Sequence, residues 1–151
     1  MSFRDQILAA DTDAERAAVI GVIGDFTSAS VPIGSAVALT TNTDATVASI
    51  QLPAGDWDVQ GNVGFSPAAN TSMTHVSSGV STVAATMNGI DTQAAISFPA
   101  IVPGATTEWL LPTPTVRLLL SVPTTVYLVS HALFTVSTLG AYGTIRARRM
   151  G

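Results

Sequence analysis

The stretch Leu52–Phe65 reads LPAGDWDVQGNVGF, and its reading decides the fold. Pro53, Ala54 and Gly55 are turn formers, and behind them Trp57, Val59, Gly61, Val63 and Phe65 fall at alternate positions, with Asp58, Gln60, Asn62 and Gly64 between. Successive side chains of a strand point to opposite faces, whereas a helix repeats every ~3.6 residues, so a period of two marks a strand with one apolar and one polar face. Asp56 is expected to belong to the turn, its carboxylate bonding nearby amides. Asp56 and Asp58 then share the polar side, and Trp57 becomes an inward anchor rather than a sugar-stacking platform, because tryptophans are highly buried on average.

The same pattern extends outward from this segment. From Val31 onward Val, Thr, Ser, Ala and Gly dominate and turn residues recur at short spacing, which is all-β chemistry. Strands are expected over 36–40, 46–52, 57–65, 71–77, 81–87, 93–98, 115–122, 125–136 and 142–148. Pro53-Ala54-Gly55-Asp56, Asn88-Gly89, Pro103-Gly104, Pro112-Thr113-Pro114 and Pro123 supply the turns. So many strands in so short a chain predict two packed sheets or a barrel.

Residues 1–26 differ. They hold Arg4, Asp5, Asp11, Asp13, Glu15, Arg16 and Asp25, while residues 27–145 hold only Asp44, Asp56, Asp58, Asp91, Glu108 and Arg117. Thr12-Asp13-Ala14-Glu15 matches a capping box, in which the Thr hydroxyl takes an amide of the first turn and the Glu reaches back to the cap. One broken helix or two short ones are expected over 3–23, ending near Gly21 and Gly24. A helix this short is marginal alone and gains stability by laying an apolar stripe on something else, its own domain or a partner. Division into a helical segment, 1–26, and a β-domain, 27–151, follows.

Composition constrains the partners. Across 151 residues 47% are hydrophobic and 11% charged, mean hydropathy is +0.44, and lysine is absent. That is an unusual surface for a soluble monomer. No apolar run approaches the ~18 residues of a spanning helix, so no membrane is expected. Met1-Ser2-Phe3-Arg4-Asp5 carries an acid at once with no apolar stretch behind it, which predicts synthesis in a cytoplasm without a secretory signal. A net charge of −4 argues against general nucleic-acid binding. Self-association or docking on a partner is what remains to cover the apolar surface.

Catalytic and metal chemistry find no support in the sequence, and no cofactor is expected. Asp56 and Asp58 form a short DxD match with no Arg, His or second aromatic beside them. His75 and His131 lie far apart and lack ligand spacing, so each reads as a structural histidine. No nucleophile elbow or phosphate-binding loop occurs. Arg146, Arg148 and Arg149 form the one basic cluster; Arg146 and Arg148 are expected on one strand face with Tyr142 and Thr144, where an intersubunit ion pair or a solvated edge outweighs nucleic-acid contact.

Three segments, SVPIGSAVALTT (30–41), ASIQLPAGDWDVQGNVGF (48–65) and PTPTVRLLLSVPTTVYLVSHALFTVSTLGAYGTIRARR (112–149), resemble small tailed-phage virion proteins with a jelly-roll-like β-sandwich, among them head decoration proteins, head fibres and tail-fibre ends. The resemblance implies a mainly β fold, a jelly-roll-like antiparallel β-sandwich with a short N-terminal helical segment. It implies a homotrimer in which each subunit donates one sandwich face. It also implies a non-enzymatic place in the virion, assembled in the host bacterial cytoplasm. Phe3, Arg4, Ile7, Leu8, Arg16, Val19 and Ile20 are then the expected contacts to the major capsid protein or another virion protein. Trp57, Val59, Phe65, Tyr127 and Phe134 are the expected core or trimer-seam anchors. The other reading is a tail-fibre or receptor-binding module for a host-surface glycan. Compactness favours the first, since a fibre tip that needs reach should show a shaft, repeats or coiled-coil heptads.

Overall fold

The computed structural model describes residues 24–105 and 108–151. The helical segment expected over 3–23 lies outside the described residues, and with it Phe3, Arg4, Ile7, Leu8, Arg16, Val19 and Ile20. Ten strands follow in chain order: β1 (Phe26–Val31), β2 (Val37–Ala38), β3 (Ala45–Leu52), β4 (Gly55–Pro67), β5 (Ser72–Ser81), β6 (Gln93–Ile101), β7 (Trp109–Pro112), β8 (Val116–Leu120), β9 (Thr124–Thr135) and β10 (Leu139–Arg149). A single 3₁₀ turn, Ile33–Ser35, stands between β1 and β2.

The strands form two antiparallel sheets in a sandwich-like arrangement. One runs β1-β10-β4-β7, with β2 also paired to β10 and β8 to β4; the other runs β3-β9-β5-β6. The alternation of the opening stretch drives the packing: Trp57, Val59, Val63 and Phe65 of β4 turn inward and are buried. They join Leu139, Ala141, Ile145 and Ala147 of β10 against Ile50 and Leu52 of β3, Met73, Val76 and Val80 of β5, and Val126, Leu128, Ala132 and Phe134 of β9. Burying each such side chain contributes ~1.5–3 kcal/mol, offset by the chain entropy lost on ordering.

Several expected boundaries move for identifiable reasons. β4 begins at Gly55, whose φ is 150°, so Asp56 lies within the strand rather than in the turn. Its carboxylate is taken by Arg117 of β8, not by nearby amides. The strand expected over 81–87 does not form. Ser81 Oγ accepts from the Val83 amide (3.0 Å) and donates to the Val83 carbonyl (2.9 Å), and Ala85 takes φ 47°. Local side-chain bonding thus outcompetes the β propensity of Val and Thr there. The strand expected over 36–40 shrinks to β2. Two strands were not foreseen: β1, which pairs with β10 from Phe26↔Arg148 to Val31↔Gly143, and the four-residue β7 on β4. Because Gly24 N–H also reaches the Arg149 carbonyl and Arg149 N–H the Asp25 carbonyl, the backbone ladder begins before residue 27.

β7 and β8 are one edge interrupted at Thr113. Gly61 N–H donates to Thr113 Oγ1 (2.9 Å), and Thr113 N–H to the Gly61 carbonyl (2.9 Å), so the break between Pro112 and Pro114 leaves no orphan amide on β4.

Candidate functional site

The polar positions of β4 build the outer face of the six-stranded sheet. Register places Arg148 beside Asp58, Arg146 beside Gln60, Thr144 beside Asn62 and Tyr142 beside Gly64. β1 adds Phe26, Ser28 and Ser30 next to Arg148, Arg146 and Thr144. On the other flank β8 adds Arg117 and Leu119, and β7 adds Leu110 and Pro112. Arg146, Arg148, Tyr142 and Thr144 thus share one face, and three of the four described arginines lie on it.

The polar side chains of this face form three separate bonded sets. Arg117 Nε donates to Asp56 Oδ1 (2.9 Å), and its Nη2 to Oδ2, a bidentate pair. The Arg117 hydrogen bond holds the Asp56 carboxyl below the usual range, and Asp56 in turn raises Arg117. A general acid needs a carboxyl raised toward neutrality, so Asp56 has the wrong electrostatics for that role. The Gln60 amide oxygen accepts from Arg146 Nε and Nη2 (2.8 Å each) while its nitrogen donates to Thr115 Oγ1 (3.1 Å). Ser30 and Thr144 hydroxyls bond at 2.8 Å. Arg149 ends β10 on the other side and lies over the Trp57 indole, 5.8 Å from its centroid.

The apolar end holds a groove of about 560 Å³ walled by Ile33, Leu110, Tyr142, Asn62, Thr144 and Glu108. The Tyr142 ring lies over Gly64, where any Cβ would collide with it. Burial, and secondarily the charge of Glu108, raises the Tyr142 hydroxyl pKa, and that hydroxyl meets no hydrogen-bond partner.

Of the expected anchors, Trp57, Val59, Phe65 and Phe134 are buried within the single chain, whereas Tyr127 is half-buried and lies outside the core cluster. The two histidines come together, which their separation in sequence hid. The β5–β9 register sets their rings 5.8 Å apart, edge to face. His131 Nδ1 bonds Asp44 Oδ1 (2.8 Å) and His75 Nδ1 bonds Ser97 Oγ (2.8 Å). Burial pushes the His75 imidazole down, and His131 adds to the effect. No group of three or more His, Cys, Asp or Glu residues among the described residues is arranged to hold a metal, and no described helix is long and apolar enough to cross a membrane.

These strands define a two-sheet antiparallel β-sandwich with one sheet face uncovered among the described residues. No protein-family model matches the chain, and no curated protein matches it. Among solved structures the chain is similar to the crystal structure of the infectious bursal disease virus VP2 subviral particle, at 14% identity and TM-score 0.42, over 85% of this chain and 31% of that one. It is also similar to the Gx strain of infectious bursal disease virus, at 13% identity and TM-score 0.41, over 85% of this chain and 32% of that one. The chain thus spans about a third of the length of these neighbours.

Proposed function

We propose that this chain is a non-enzymatic structural protein of a tailed-phage virion, a homotrimeric decoration or head-fibre protein with a jelly-roll-like domain. One observation carries the reading: the described sandwich leaves large apolar side chains open on one sheet face, in a chain with few charges. Phe26 (65%), Leu110 (56%) and Leu119 (79%) are exposed on one sheet face, in a chain that is 11% charged and has no lysine. A face that combines open apolar side chains with arginines and lacks lysine has the composition of an association site rather than of a solvated exterior. The sequence resemblance to small phage virion proteins supports the same reading, and the passage of the chain from sheet to sheet supports the jelly-roll-like description. Residues 1–23 attach the trimer to the capsid, and the β-domain projects outward.

The test is addition of purified protein to particles grown without it. Full-length protein is expected to be a trimer by light scattering and to bind such particles at saturable occupancy. Deletion of residues 2–23, which spares the β1–β10 ladder, is expected to leave a β-rich trimer that no longer binds. Binding of the truncated trimer at unchanged occupancy would move attachment to the β-domain. Binding to host envelope, with none to particles, would replace the reading with the receptor-binding module.

A further inference from the structure

The two outer faces of the sandwich are not alike. On the four-stranded sheet, residues 82–92 fold back across the face, pinned by Met87 N–H to Asp44 Oδ2 (2.8 Å) and Ala85 N–H to Thr46 Oγ1 (2.9 Å). The Met87 sulfur packs against Gly79, and Val129, outside the core cluster, is fully buried. What stays open there includes Val83 and Ile90 of the cover itself and the polar Ser97, with His75 and His131 half-buried. The six-stranded sheet has no comparable cover among the described residues, and it carries Phe26, Leu110 and Leu119 in the open.

We infer that the outer face of the six-stranded sheet is the seam through which copies of this chain meet, with the Tyr142–Leu110 groove at its apolar end. The inference rests on the homotrimer reading and assigns it a surface. The occupant is a second copy because the face carries both signs of charge. Arg148 makes no ion pair among the described residues, whereas Asp58 lies between it and Arg117 and already meets the Arg117 charge. A neighbouring copy brings a carboxylate to Arg148. Four strands ~4.8 Å apart and ~11 residues long at ~3.3 Å each give a face of about 700 Å², which a closed trimer divides between two neighbours. Residue choice agrees as well, since interfaces favour arginine and aromatic residues and disfavour lysine.

The chain has no cysteine, so single cysteines report exposure without background. The full-length protein is made as Leu110→Cys and, as control on the opposite sheet, Gln51→Cys; both positions are exposed in the single chain. Maleimide labelling of the native trimer is expected to be on the order of tenfold slower at Leu110→Cys, because a side chain covered by a partner is shielded from water and solutes. Leu110→Asp is expected to raise the dissociation concentration on the order of 100-fold, since it places an unpaired charge in the seam, while Gln51→Asp stays trimeric. Equal labelling at both sites of a trimer, or protection at Gln51→Cys instead, overturns the seam and leaves the trimer standing. A wild type that sediments as a monomer overturns both. If Leu110→Asp does not fold, the labelling pair decides alone.

Discussion

Replacing Trp57 by alanine measures how much of the fold hangs on the stretch that defines it. The indole is 3% exposed, sits between Leu118 of β8 and Arg149 of β10, and donates Nε1–H to the Pro53 carbonyl at 3.0 Å. Truncating a buried Trp to Ala costs ~3–5 kcal/mol. The lost hydrogen bond contributes ~1 kcal/mol of that and the Arg149 contact ~0.5–1 kcal/mol, so the upper part of the range is expected. Against a total stability of ~5–15 kcal/mol, that is a third or more for a marginal domain. Trp57→Phe keeps most of the ring and loses the hydrogen bond; Pro53 is exposed, so its freed carbonyl turns to water and the cost falls to ~1–2 kcal/mol. Urea unfolding followed by circular dichroism, at one protomer concentration for all variants, reads both values. The reasoning fails if Trp57→Ala lies within ~1 kcal/mol of wild type, or if the two variants lose the same amount. A Trp57→Ala protein of normal stability that has lost binding to host envelope would restore the sugar-stacking role.

Gly143 has φ 153°, and a Cβ there would run into the Asn62 carbonyl of β4; Gly143→Ala is expected to cost about 3 kcal/mol or more in the same unfolding assay. Ser78 and Ser130 face each other across β5 and β9, both fully buried with hydroxyls that meet no partner. The double change to alanine is therefore expected to stabilise by about 1–3 kcal/mol, and a loss of stability would show that the hydroxyls are satisfied. His75, pushed below its ordinary value of 6.5 chiefly by burial, favours its neutral form in the folded state. Its contribution is thus present above pH 6.5 and lost as pH falls through the lower folded value. His75→Gln should flatten the stability profile between pH ~5 and ~8, and an unchanged slope would refute the assignment.

Some of this was legible from residue order alone. β3, β4, β6, β9 and β10 stand within a few residues of their expected bounds, because each carries a local alternation that no helix can satisfy. The inward direction of Trp57 and the shared face of Arg146, Arg148, Tyr142 and Thr144 follow from the same period of two. Where local signals compete, the reading failed. Ser81 turned the chain away from an expected strand by bonding Val83, and β1 was hidden because Phe26 and Asp25 stand beside a charged segment while their ladder partners lie more than 110 residues away.

What the sequence by itself determined is therefore the set of strands and their faces, since period, propensity and turn chemistry act over a few residues. What only the tertiary structure decided is which strands meet. The Asp56–Arg117 pair, the His75–His131 contact and the groove between Leu110 and Tyr142 all join residues more than 30 positions apart. The cover over the four-stranded sheet is likewise set by where residues 82–92 come to rest. Register and sheet order depend on how all the inward side chains fill one core, and no segment carries that information alone.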